Sequence, residues 1–276
     1  MSAAAFLSDH QRATGSLHVA IKRRGEASVL ADLRQEGCLK ARFPRPVDWV
    51  EVVTLNSSGG VVGGDRLASR FGVGTGARAT FASQAAERFY RALPDDPPAH
   101  VRTHLTVAEG AAAEWLPQEA ILFDRTALDR ALDVELAGDA WFLGVESLIF
   151  GRTAMGERVA AARLADTIRV RRAGKLVLHD AIRLDGQVAD ALARPALAAG
   201  GAAVATLIHV ARDAEARLDE LRAAWADAPA ETGASAWNGM LVGRIVAPDG
   251  AFLRAAVVAG LNCLRAGRSL PRVWLS

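Results

Sequence analysis

A two-residue alternation of apolar and polar side chains runs through the first two thirds of the chain and constrains its fold more than any other feature. In "SLHVAIK", Leu17, Val19 and Ile21 share one face, and His18 and Lys22 share the other. "LADLRQEGCLKARF" continues the alternation and is broken at Gly37. "RLASRFGV" puts Leu67, Phe71 and Val73 together, and "HVRTHLTV" does the same with Val101, Thr103, Leu105 and Val107. Side chains alternate across a strand, so this period predicts a sheet-rich body. "AWFLGVESLIFG" is continuously apolar and predicts a strand buried on both faces. Turn signals separate the runs at Gly74-Thr75-Gly76, Glu109-Gly110, Ala137-Gly138-Asp139 and Ala173-Gly174.

The last third changes period. Asp213 is placed to cap a helix through Ala226, with Leu218, Leu221 and Trp225 on one stripe. "SAWNGMLVGRIV" reads as a strand. Asp249 caps a second helix, with Leu253, Val257, Gly260 and Leu264 on one face and Gly267 as the stop. The expectation is a mainly β protein spanning 1–276. Its β-rich body covers about 1–187, and a smaller α+β layer with two main helices covers about 188–276.

Bulk properties exclude several classes of function. Basic and acidic residues number 33 and 31, so no global field favours nucleic acid or a membrane surface. The longest uncharged run, Pro195 to Ala211, is interrupted by Gly200-Gly201 and is too short to span a bilayer. The start, "MSAAAFLSDHQR", lacks the pattern of a signal peptide. Two distant cysteines, Cys38 and Cys263, make neither a disulfide framework nor a zinc spacing. The reading is a soluble cytoplasmic protein.

The stretch "NSSGGVVGGDRL", Asn56 to Leu67, carries the densest glycine signal. A phosphate cradle would end in Gly-Lys-Ser/Thr before a helix, and neither follows. The residues alone leave two readings of Asp65 open. It could accept amide hydrogen bonds in a tight corner, or it could be an oxygen ligand facing a polar passage. No Gly-x-Ser-x-Gly elbow or His-Glu-x-x-His helix occurs. His100 and His104 lie too far apart along a strand to share one metal. Glu114, Glu119 and Asp124 are the candidates for acid/base work in the alternative reading, a small-molecule hydrolase or lyase with an acidic cleft. A metallochaperone that stores its metal itself is a third reading, set against scattered histidines and distant cysteines.

"SSGGVVGGDRL", "AERFYR", "AEWLPQEAILFD", "GRTAMGE" and "PRVWLS", in that order over nearly the whole chain, resemble the UreD/UreH family of urease accessory proteins. The resemblance implies a β-helix-like stack with C-terminal helices and a scaffold in place of an enzyme, with no catalytic residues. It implies binding of UreF, of the GTPase UreG through UreF, and of apo-urease. It also implies transit of Ni²⁺ through an internal passage, with no stable metal site or cofactor. The matching acidic positions are Asp65, Glu146 in "GVESL" and Asp180 in "LHDAI". Gly59, Gly60, Gly63, Gly64 and Glu87 would support the passage or its loop. Phe89, Tyr90, Arg91 and Trp274 are the candidates for partner contact. The chain departs from the common family pattern at "SSGG", at Glu87 and at Cys38.

Overall fold

The computed structural model describes residues 12–46, 48–152 and 156–275. The start of the chain, the centre of "GRTAMGE" and Ser276 therefore lie outside the described residues.

The chain winds between two sheets. β1 (Thr14–Arg24), β2 (Ala27–Gly37), β3 (Leu39–Arg42) and β4 (Val50–Asn56) open it. β5 (Arg66–Val73), β6 (Arg78–Ser83), β7 (Glu87–Phe89), β8 (Ala99–Val107), β9 (Ala112–Leu116), β10 (Ala120–Leu122), β11 (Ala127–Leu136), β12 (Trp141–Phe150) and β13 (Ala161–Arg172) follow. β14 (Lys175–Gln187) returns antiparallel along β13. The seven-stranded sheet has the order β14-β13-β11-β8-β5-β1-β2. The facing sheet contains β3, β4, β6, β9 and β12, then β15 (Ala203–Val210), β17 (Met240–Ala247) and β16 (Glu231–Trp237). From β5 to β13 the main strands fall alternately in the two sheets, and within each sheet they pair in parallel with one another. This is the expected β-helix-like stack.

The predicted turns make the lower corners of the coils. They stack: Gly76 N–H donates to Glu109 O at 3.0 Å, and Gly110 N–H donates to Asp139 Oδ1 at 3.0 Å. The inward phase of the alternation fills the space between the sheets with Leu17, Val19, Ile21, Phe71, Leu105, Leu132 and Val134, all buried. β12 is buried along nearly its whole length, as its continuous apolarity predicts. Its inner face meets the seven-stranded sheet. Leu143 and Val145 on the other face join the core formed with the helix Gly250–Leu264.

Two local expectations differ from the structure. "SAWNGMLVGRIV" is a hairpin, not one strand. Asn238 (φ +52°) and Gly239 (φ +72°) turn β16 into β17, because two consecutive left-handed residues match the twist of paired strands. The Asn-Gly pair carried that signal. Asp213 does not cap a helix: a 3₁₀ turn, Glu215–Arg217, precedes the helix Leu218–Ala224, and no side chain caps either. Asp249 caps as expected, its Oδ1 accepting from the amides of Ala251 and Phe252 at 2.8 and 3.0 Å. The three C-terminal strands extend the second sheet through β12, and the last helix covers that sheet from outside. No helix of the described residues is long and apolar enough to cross a membrane.

Candidate functional site

One set of polar residues interrupts the inward phase on six neighbouring strands: Arg130 on β11, Glu146 on β12, Asp166 on β13, Asp180 on β14, Thr206 on β15 and Arg244 on β17. Strand register aligns them. Arg130 sits opposite Asp166, Glu146 opposite Thr206, and Thr206 opposite Arg244. The result is a polar seam between two otherwise apolar sheets.

At its inner end, Arg130 forks onto Asp166, with Nε and Nη2 donating at 2.8 and 2.7 Å. Its Nη1 lies 2.9 Å from Glu146 Oε2. That contact is off the hydrogen-bonding direction, so it acts as an ion pair. Trp115 Nε1 donates to the other Glu146 oxygen at 2.7 Å. Burial raises the Glu146 pKa above the usual carboxylate range; Arg130 opposes this shift and the neighbouring Asp166 adds to it. Burial alone would push Arg130 toward neutrality, but Asp166 and Glu146 hold its guanidinium charged.

At its outer end, Arg244 forks onto Asp180, with Nη2 and Nη1 donating at 2.5 and 2.7 Å. Arg244 Nη1 also donates to Thr206 Oγ1 at 2.6 Å, and that hydroxyl reaches Asp180 Oδ2 at 3.4 Å. Arg244 is half-exposed, whereas the Asp180 side chain is largely covered. Thr206 stands between the two ends, in register with Glu146 and bonded to the Asp180 pair.

Asp65 stands apart from this seam, at the upper corner between β4 and β5. It is 2% exposed. Its Oδ1 accepts from Ala13 N–H at 2.7 Å and its Oδ2 from Val62 N–H at 2.9 Å. Both oxygens thus brace the corner. Of the glycines, Gly60 (φ +141°) leaves no room for a side chain, since a Cβ there would meet Tyr90 Cε2 at 2.4 Å. Gly64 takes φ +87° immediately before Asp65. Gly59 and Gly60, with Asn56 and Glu87, line a cavity of about 230 Å³. Glu87 receives one long hydrogen bond there, from Asn56 Nδ2 at 3.5 Å. Burial pushes its pKa up to about 7 despite that bond.

The other candidates are dispersed. Glu114 is fully buried and accepts from Arg265, Arg268 and Thr80. Glu119 pairs with Arg254 at 3.0 Å, and Asp124 Oδ1 accepts the amides of Ala160 and Ala161. Phe89 is buried; Tyr90 packs on Phe123 and donates to Gly59 O. Trp274 is buried as well, with Nε1 donating to Leu116 O at 3.0 Å, so the C-terminal tail docks on the body. Among the partner-contact candidates only Arg91 is exposed. Cys38 is half-buried and unpaired. Among the described residues no group of three or more His, Cys, Asp or Glu is arranged to hold a metal ion.

Sequence reading missed Arg130, Asp166, Thr206 and Arg244. Their signal was present: each occupies the inward phase of its strand, as in Leu128-x-Arg130-x-Leu132-x-Val134 and Leu164-x-Asp166-x-Ile168-x-Val170.

Comparison with known proteins matches residues 13–275 to the UreD urease accessory protein family. The chain belongs to the UreD family. It is 45% identical over 266 residues to the urease accessory protein UreD of Azorhizobium caulinodans, covering 96% of this chain and 97% of that protein. It is 47% identical over 268 residues to UreD of Dinoroseobacter shibae, covering 96% and 92%. UreD of Sinorhizobium medicae is 45% identical over 279 residues, covering 99% of each chain. In this UreD-family chain the "GGDRL" stretch is thus a strand corner braced by its aspartate. "GVESL" and "LHDAI" supply two of the six polar breaks.

Proposed function

We propose that this chain is a cytoplasmic urease maturation scaffold that conducts Ni²⁺ along the inter-sheet seam toward the urease active site. It binds UreF, and UreG through UreF, and docks on apo-urease. It holds no cofactor stably and catalyses no reaction; Ni²⁺ is its cargo. The carrying observation is the seam itself, in which three carboxylates and two guanidiniums run between the sheets through Thr206. Carboxylate and hydroxyl oxygens hold a divalent ion without the grip of a histidine or thiolate cage, and conduction needs binding weak enough to release. Arg130 and Arg244 are the counter-ions of these carboxylates. Arg244, half-exposed at the outer end, is the counter-ion an arriving cation displaces.

The relatives, each a urease accessory protein by name, support this reading. The engagement of Glu114, Glu119 and Asp124 in ion pairs and amide bonds supports it over an acidic catalytic cleft.

Co-expression with UreF and apo-urease tests the scaffold role. A folded chain that recovers neither partner overturns it. The seam is tested by Glu146→Ala and Asp180→Ala, read as urease activation against complex assembly. Activation is expected to fall while assembly persists; normal activation by both variants removes the seam as the route.

A further inference from the structure

Two loops at the upper end of the stack, 91–94 and 125–126, meet the ends of β13 and β14 around a cavity of about 320 Å³. Arg91, Arg125 and Arg163 line it with Leu93, and Asp185 is its one acidic residue. Asp185 stands opposite Arg163 in the strand register, yet no ion pair joins them among the described residues. The cavity is therefore lined by three positive charges against one negative.

The guanidiniums are open to solvent and little used. Among the described residues, no hydrogen bond or ion pair engages the Arg91 side chain. Arg125 is 61% exposed, and its nearest acid, Asp124, is 3.7 Å away with its other oxygen committed to two amides. Among the described residues the Arg163 side chain donates only to the Asp96 carbonyl, at 2.7 Å. Leu93, 63% exposed, projects at the rim.

The loops beneath are stitched together. Ala92 N–H donates to Arg125 O at 3.0 Å, and Arg125 N–H donates to Ala161 O at 2.7 Å. Thr126 Oγ1 lies within bonding distance of the Phe89 and Phe123 carbonyls, at 2.6 and 2.8 Å. Asp96 Oδ2 closes the turn by accepting Leu93 N–H at 3.0 Å. Arg125 itself is held at φ +60°, a left-handed conformation that non-glycine residues seldom adopt without support. A braced backbone thus presents three exposed forks beside one exposed leucine.

We infer that this arginine pad docks an acidic segment of a partner protein that carries an apolar residue beside its carboxylates. Arginine forks match carboxylates in pairs and lose little hydration on burial, which is why arginine anchors interfaces. Leu93 and the small side chain of Ala161 give the apolar residue a seat. The inference rests on the scaffold reading and gives one of its docking surfaces a chemistry.

The test compares the wild-type chain with Arg91→Glu/Arg125→Glu/Arg163→Glu in recovery of UreF and of apo-urease. Recovery of one partner is expected to fall by about tenfold or more, as for loss of charged anchors at an interface. The wild-type recovery should also weaken as salt rises through about 0.15 M. Arg91→Glu alone removes no bond within the chain, so a smaller loss from that folded variant supports the pad even if the triple variant fails to fold. Both variants recovering both partners at wild-type levels overturns the pad and leaves the scaffold standing. A wild-type chain that recovers neither partner overturns the scaffold, and the pad with it. Wild-type retention of a single-stranded oligonucleotide that the variants lose, with protein recovery unchanged, also overturns the assignment to a protein partner.

Discussion

Glu114 and Arg265, 151 residues apart in sequence, meet in a two-bonded ion pair with both contacts at 2.9 Å. Glu114 is fully buried and Arg265 nearly so. The pair ties the end of the last helix to β9, and Arg268 reinforces it at 2.8 Å while lying over the Trp49 ring. The opposite, N-terminal end of the same helix holds the tail, since Arg254 donates to Glu119 and to Trp274 O.

Arg265→Met is expected to destabilise the fold by about 3–5 kcal/mol, because it removes the two-bonded partner of a buried carboxylate and leaves it Arg268 and Thr80. Replacing both partners with apolar residues should cost less than the single change. Chemical denaturation of the two variants measures the difference. An exposed pair would give about 1 kcal/mol or less.

Glu114 also sets an acid limit. Burial alone would raise its pKa, but Arg265, Arg268 and Thr80 outweigh burial and hold it below the usual carboxylate range. A depressed folded-state pKa contributes stability that is present above the unfolded value and lost as pH falls through the folded one. The melting temperature should therefore drop below about pH 4, as for a depressed carboxylate, and this drop should be smaller in Glu114→Gln.

Glu87 has the opposite sign. Its carboxyl, raised to about 7 by burial, favours the folded state while protonated. That contribution is complete below the ordinary glutamate value and is lost as pH rises through about 7. Glu87→Gln should melt higher than wild type above neutral pH and match it in mild acid. Parallel melting curves at both ends of this range would show that Glu87 is not titrating there.

Asp65→Asn separates bracing from conduction. The amide nitrogen would face Ala13 or Val62 N–H where a carboxylate oxygen now accepts. Leaving one buried donor unpaired costs about 1–3 kcal/mol. The variant should lose that much stability by thermal melting even with no nickel or partner present. Unchanged stability with impaired activation would place Asp65 on the ion's route instead.

The alternation of Leu17, Val19 and Ile21, and its repetition through Phe71, Leu105 and Val134, was enough to read the strands and the mainly β class. Local chemistry settled the Asp249 cap, because the capping bonds span three residues. The ordered motifs carried the family. The sequence did not show which residues would become neighbours. Arg130 meets Glu146 and Asp166 only because β11, β12 and β13 alternate between sheets in a fixed register. Arg244 meets Asp180 only because an Asn-Gly hairpin adds β17 beside β15. An inward polar residue is visible one strand at a time, but its partner is chosen by pairing across 16 to 64 residues of chain. Local propensity specifies the alternation, and the long-range packing of the sheets decides which charges neutralise one another.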